Sequence, residues 1–241
     1  MIIHPQHDAM GRAIRDYFHT GRALRLRVLS SMFDEDEMPV PHLFRTEAEM
    51  NALERTALQL ARGRVLDVGA GSGCHSLALQ SRGLEVRAID VSPFSVETMR
   101  ERGVADVQLA DFFDDDFGSA FDTILMLMNG IGICGSLDTL PQFFARLDAL
   151  LAPGGCALID SCDLRFVLGD DDGQIDPNDF DDYFGEVDYQ MQYGRTQGHA
   201  FNWLYVDFDT LATAAASCGF SATMLREGDE HDFLARLERV G

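Results

Sequence analysis

Three carboxylates and one glycine-rich turn have the residue types and spacing to do chemistry together. The turn runs Asp67-Val68-Gly69-Ala70-Gly71-Ser72-Gly73, after a short apolar run and before a helix-forming stretch that starts at Cys74. Glycines in such a strand-to-helix turn let the backbone bend tightly and bring its N–H groups against a ligand. Asp90 closes the next apolar run, where a carboxylate can accept hydrogen bonds from both hydroxyls of a ribose. The third run ends Leu109-Ala110-Asp111-Phe112. Asp111 is placed there to accept from an adenine amino group, with Phe112 flanking the ring. The three together describe a site for an adenosine-containing ligand.

Two large cofactor groups meet that description. A nicotinamide or flavin dinucleotide asks for Gly-x-Gly-x-x-Gly, and the chain has Gly69, Gly71 and then Cys74 at the third position. Asp67 lies just before the loop, and no arginine occurs between Val65 and Ser81 to offset a pyrophosphate. A carboxylate there suits a cationic ligand better. S-adenosylmethionine carries a sulfonium and an ammonium, with one carboxylate for the loop N–H groups, and fits the charge pattern.

Composition removes several other chemistries. All 19 basic residues are arginine, so a pyridoxal Schiff base and a P-loop lysine are both excluded. The formal net charge of -21 repels a nucleic-acid backbone. It is equally what high solubility or a salty cytoplasm would select. The five cysteines are widely spaced, with no C-x-x-C pair, and read as reduced, mostly buried apolar residues. The seven histidines are scattered; only His75 falls in the cofactor region, where it can touch the ligand's carboxylate end or pack under the loop. No apolar run reaches the roughly 18 residues that span a bilayer, and no basic leader precedes an apolar stretch at Met1. A cytoplasmic location without membrane contact is the expectation.

These residues must be held by an alternation of strands and helices. Val65 to Val68, Leu84 to Val91, Asp106 to Ala110, Phe121 to Met128 and Cys156 to Asp160 read as strands. Helices from Cys74 to Gln80, from Pro93 to a stop at Gly103, and from Leu137 to Leu151 separate them, the pattern of a doubly wound α/β sheet. Residues 1–62 read as a helical leader or lid, 63–162 as the cofactor-binding core, 163–206 as an acidic loop followed by a β-hairpin, and 207–241 as a last helix with a strand pair. All belong to a single domain. Within the insertion, Asp170-Asp171-Asp172-Gly173 lacks calcium-loop spacing and reads as a solvated acidic loop.

In order, VLDVGAGSG, VRAIDVS, LADFFD, FDTILMLMNGIG and LLAPGGCALIDS resemble the class I S-adenosylmethionine-dependent methyltransferases, from about Arg64 to Ser161. The resemblance implies a mostly parallel seven-stranded sheet with one antiparallel strand near the carboxyl end. It implies cofactor binding by Asp67, Gly69, Gly71, Gly73, Asp90 and Asp111, with Ala70, Val91, Ala110, Phe112 and Met128 lining the same site. Met128-Asn129-Gly130-Ile131-Gly132 falls beside the reactive methyl. It lacks the Pro-Pro-aromatic of enzymes that methylate DNA amino groups, and no proline precedes a cysteine as cytosine-carbon methylation requires.

Asn129 is the candidate catalytic residue, orienting the acceptor through its amide or else simply capping the strand. A metal held by Asn129, Asp160 and Asp163 fits the spacing only loosely, and no metal is expected. Asp160, Tyr189 or Tyr193 could help a proton leave. The expected reaction is in-line methyl transfer to a small-molecule nucleophile through O, N or S. The competing expectations are a protein or RNA acceptor, a nicotinamide oxidoreductase, and a cofactor-binding module without catalysis.

Overall fold

The computed structural model describes residues 1–170, 174–176, 180 and 182–241. The core begins with strand β3 (Arg64–Val68), followed by helix α3 (Cys74–Ser81), β4 (Glu85–Asp90), α4 (Pro93–Arg102), β5 (Asp106–Leu109) and β6 (Phe121–Met126). After a 3-10 turn at Leu137–Thr139 come α5 (Leu140–Leu150), β7 (Leu151–Cys162), a short α6 (Arg165–Leu168), α7 (Phe208–Ser217), β11 (Phe220–Glu227) and β12 (Asp232–Arg239). Pro141 sits in the first turn of α5, where its missing N–H removes no helical bond.

Seven strands form one sheet in the order β11-β12-β7-β6-β3-β4-β5. Strands β3 to β7 pair in parallel, and β12 runs antiparallel to both β7 and β11. Alternation along β3 sorts its side chains. Leu66 and Val68 join a cluster with Phe143, Leu147 and Leu211 of α5 and α7, while Val65 packs with Leu79 of α3 and with helix α2 (Ala52–Leu60) on the other face. Asp67 therefore points toward α3, not toward α5. The strand order reverses between β3 and β6, so the crevice at their carboxyl ends is the ligand position in an open α/β sheet.

The leader departs from the helical expectation. It contains helix α1 (Ala9–Thr20) and two strands, β1 (Leu26–Leu29) and β2 (Asp36–Met38). Two residues of the acidic run at 34–37 lie in β2. The inserted hairpin forms as β8 (Glu186–Tyr193), β9 (Thr196–Gln197) and β10 (Phe201–Leu204), and β8 pairs with β1 through Leu26↔Tyr193 and Val28↔Met191. Leader and insertion thus build a second, five-stranded sheet, β10-β8-β1-β2 with β9 beside β8. Part of the 170–173 acidic loop lies outside the described residues. Among those described, no helix is long and apolar enough to cross a membrane.

Candidate functional site

The turn after β3 is held left-handed at every glycine: φ is +66° at Gly69, +57° at Gly71 and +82° at Gly73. At Gly73 the constraint is also steric, because an added methyl would meet Val104 Cγ2 at 2.9 Å and Met99 Cγ at 3.0 Å. Gly71 N donates to Asp90 Oδ2 at 2.8 Å, and Ser92 N donates to Asp90 Oδ1 at 2.8 Å. The carboxylate that ends β4 is thereby fastened to the loop that ends β3. Burial pushes Asp90 up to about 6, against the two N–H groups that favour its charge. Asp67 is buried beneath the loop, its carboxyl raised by burial, and accepts from Ser76 Oγ at 2.5 Å.

At the end of β5, Asp111 Oδ1 accepts from Phe113 N at 2.8 Å, and Oδ2 pairs with the amino group of Met1. Ala110 is buried, with its N–H on Asp90 O at 3.0 Å. Phe112 turns the other way. Its ring lies in the core with Phe117 and Phe143, at centroid distances of 6.5 and 5.9 Å. Val91 O accepts from Ile3 N at 2.9 Å, so the start of the leader runs along this edge.

Met128 and Asn129 carry φ of +67° and +56°. Asparagine tolerates that region; methionine does so at a cost of roughly 1–2 kcal/mol. Asp160 at the end of β7 holds the turn, accepting from Met128 N at 2.9 Å and Gly130 N at 3.0 Å. Burial raises Asp160 to about 6, and the two N–H groups oppose that rise. Asn129 Nδ2 donates to Leu204 O at 3.1 Å, which fixes the amide's orientation and leaves Oδ1 buried without a partner among the described residues. Of the groups in the looser metal arrangement, Asp163 is gripped by Arg165 at 2.6 to 3.0 Å, and Asp160 is occupied by two backbone N–H groups.

Other groups around the loop carry no local sequence signal. Arg45, Glu54 and His75 form a buried network, with Arg45 Nε on Glu54 Oε1 at 3.0 Å and His75 Nε2 on the same oxygen at 2.6 Å. Burial opposes charge on His75, yet hydrogen bonding to Cys74 and Glu54 holds its imidazolium up to about 10. Burial likewise opposes charge on Glu54, and His75 and Arg45 hold it down at about 2. His75 is thus tied into the fold. Ser72 Oγ donates to Leu43 O, while Asp8 accepts from Ser92 Oγ at 2.6 Å and Phe94 N at 3.3 Å. The leader is clasped to the cofactor loops at both places. Tyr205, a sequence-silent residue after β10, places its hydroxyl 3.1 Å from that of Tyr189. Tyr193 instead donates to Asp16 of α1 at 3.0 Å.

A glycine cradle at the switch point, a carboxylate locked to it at the end of β4 and seven strands in this order define a class I methyltransferase fold. The comparisons agree: a methyltransferase-domain family model matches residues 65–155. A crystal structure of an S-adenosylmethionine-dependent methyltransferase from Bacteroides fragilis, in complex with S-adenosyl-L-homocysteine, is similar at 53% identity and a TM-score of 0.94, covering 100% of this chain and 98% of that one. The chain belongs to the S-adenosylmethionine-dependent methyltransferases. A cypemycin N-terminal methyltransferase from a Streptomyces species is 32% identical over 102 residues, 41% of this chain. The chain spans only 31% to 42% of the length of the curated relatives it matches. A sugar N-methyltransferase from a Streptoalloteichus species shares the fold, at 19% identity and a TM-score of 0.53 over 82% of this chain and 88% of that one.

Proposed function

We propose that the protein binds S-adenosylmethionine at the carboxyl ends of β3, β4 and β5 and transfers its methyl group to a small-molecule nucleophile. The observation that carries this reading is the Gly71 N–H on Asp90: the loop and the ribose carboxylate form one preset unit, in a crevice whose buried carboxylates suit a cationic ligand. Asp90 would accept from the ribose hydroxyls. The turn at 69–73 would give its free N–H groups to the amino-acid end, with Asp67 supplying negative charge beneath, and Asp111 would face the adenine amino group. Ala70, Val91, Ala110 and Met128 would line the walls, while the burial of Phe112 makes it a support for that wall.

When bound, the cofactor supplies an activated methyl, so the chain's own residues need to align the acceptor and exclude water. Asn129 stands where the acceptor would meet the methyl. The clasped leader and the second sheet form the lid, which favours a small acceptor. The bound ligand of the similar Bacteroides fragilis protein supports the cofactor assignment, and the name of the sugar N-methyltransferase supports a small acceptor.

Calorimetry with S-adenosylmethionine, S-adenosylhomocysteine and NAD tests the first half. The two sulfur ligands are expected to bind, and NAD binding in their place would sink the reading. Incubation with methyl-labelled cofactor and a metabolite panel tests the second half. Label recovered only on protein or RNA would overturn the small-molecule assignment.

A further inference from the structure

Among the described residues Asn129 leaves one buried acceptor, Oδ1, with nothing to receive, past the end of β6 where the proposed function puts the methyl transfer. An unpaired buried acceptor is costly, so a partner bringing an N–H or O–H is favoured there. Its Nδ2 holds Leu204 O, which ties the turn after β6 to the end of β10, and the next residue is Tyr205, whose hydroxyl pairs with that of Tyr189.

The register of the second sheet shows what else faces it. Tyr189 stands opposite Phe201, Met191 opposite Val28, and Val28 opposite Asp36, so all five share one face of the sheet with Trp203. Met191 and Tyr193 of that face pack against α1, which turns it inward. Asp36 acts electrostatically on both Tyr189 and Tyr205. The wall is aromatic, with two phenol oxygens and, at its outer edge, the exposed carboxylate of Asp36, a surface that attracts a polarised N–H group.

The proton balance narrows the choice further. An alcohol must lose its proton as it attacks, which calls for a free base. Asp36 is exposed at the outer strand β2, away from the buried amide, with Oδ1 accepting from Glu37 N, and the other described carboxylates around the turn and the wall are committed. Asp160 holds two backbone N–H groups, Asp163 holds Arg165, Asp188 holds Ser31, and Asp207 holds Thr210 and Tyr183. Burial keeps Tyr189 and Tyr205 as neutral phenols. A neutral amine needs no base, because its lone pair is available as it stands. A thiol would have to react as a thiolate, which the carboxylate-bearing wall repels.

We infer that the acceptor is an amine, its N–H received by Asn129 Oδ1 and its developing positive charge faced by Tyr189, Tyr205 and, at the wall's outer edge, Asp36. The inference rests on the methyl-transfer reading above. The nitrogen lone pair forms the new N–C bond as the S–C bond breaks, its electron pair stays on sulfur in the thioether product, and the nitrogen's proton passes to water.

The test uses the full-length protein, trideuteromethyl-labelled S-adenosylmethionine and a pooled bacterial small-molecule extract, half of it N-acetylated and then treated with hydroxylamine to free thiols and hydroxyls. Label is expected on nitrogen in the untreated half and absent from the acetylated half. Label that persists after acetylation, or that fragmentation places on oxygen or sulfur, overturns the inference. No transfer in either half, with S-adenosylhomocysteine still bound, also overturns it. Failure to bind S-adenosylhomocysteine would instead overturn the cofactor reading beneath it.

The labelled compound, once recovered unmethylated, is titrated into the protein saturated with S-adenosylhomocysteine. Asn129→Gly suits the positive φ and removes only the amide, so it is expected to weaken acceptor binding at least about tenfold with unchanged S-adenosylhomocysteine affinity. Equal acceptor affinity in wild type and Asn129→Gly would overturn the role of Oδ1.

Discussion

Around the glycine turn, polar side chains are answered within the chain: Asp90 by Gly71 and Ser92, Asp67 by Ser76, and Glu54 by Arg45 and His75. At the far end of the crevice Asn129 Oδ1 has no answer among the described residues, and the hydroxyls of Tyr189 and Tyr205 have chiefly each other. The first region is preset for one ligand and draws its support from adjacent elements. The second is assembled from β1 of the leader and from β8 and β10 of the insertion, two remote parts of the chain, and leaves its bonding capacity open. A fold that must always bind the same cofactor gains from rigid, satisfied donors; under the proposed function, acceptor choice would reside in the part with capacity to spare.

The sharpest way to break this comparison is Asp90→Ala. Two charge-assisted hydrogen bonds of about 1.5 kcal/mol each would be lost, weakening S-adenosylhomocysteine binding roughly 100-fold in calorimetry. A loss under about threefold would mean that Asp90 does not hold the ribose. Because burial pushes this carboxyl up to about 6, wild-type affinity should also fall as pH drops below about 6, where the protonated group accepts less well.

Glu54→Gln probes the satisfied region without touching ligand. It leaves Arg45 buried beside a neutral partner, and a stability loss of about 3 kcal/mol is expected in denaturant titration. The sign of the pH effect follows from the two shifts. His75 is raised from 6.5 to about 10, so its contribution is complete below pH 6.5 and is lost as pH rises through 10. Glu54 is lowered from 4.5 to about 2, so its contribution is complete above pH 4.5 and is lost as pH falls through 2. The wild-type advantage over Glu54→Gln should therefore be largest between pH 4.5 and 6.5. An advantage that does not vary with pH would refute the coupling.

Within the turn itself, Gly73→Ala and Gly69→Ala separate two costs. Both residues are left-handed, but only at Gly73 does the new methyl collide with Val104 and Met99; at Gly69 nothing lies within 4 Å. Expected destabilisations are about 2–3 kcal/mol and about 1 kcal/mol respectively. Equal losses in thermal unfolding would show that the collision relaxes freely.

The two regions also differ in how legible they were. Strands β3, β4, β6 and the body of β7 are buried on both faces and read as short apolar runs, and Pro93 and Gly103 bracket α4 as helix-boundary chemistry dictates. The glycine turn and Asp90 followed from that frame. Strands β1 and β2 did not, because four and three residues give too little alternation to register and their partner β8 is remote in sequence. For Phe112, position alone points to the ligand and packing points to the core. Past the end of β5 no strand alternation fixes its direction, and packing puts its ring with Phe117 and Phe143. The Arg45–Glu54–His75 network joins three separate elements with no periodic spacing, and only packing reveals it.

The smallest effect is also the one that divides the second sheet internally. Tyr205→Phe and Tyr193→Phe remove the same atom from the same region. Tyr193's hydroxyl donates to Asp16 and accepts from Leu24 N at 3.1 Å, so its loss unpins α1 and should cost about 1 kcal/mol of stability. Among the described residues Tyr205's hydroxyl bonds only to Tyr189's, and its removal should leave stability within about 0.5 kcal/mol of wild type. Its effect belongs in turnover: KM for the acceptor is expected to rise about threefold to tenfold while cofactor affinity stays constant. Steady-state kinetics beside thermal unfolding reads both. If Tyr205→Phe changed stability and left KM alone, the hydroxyl pair would be packing, and the open capacity of this region would reduce to Asn129.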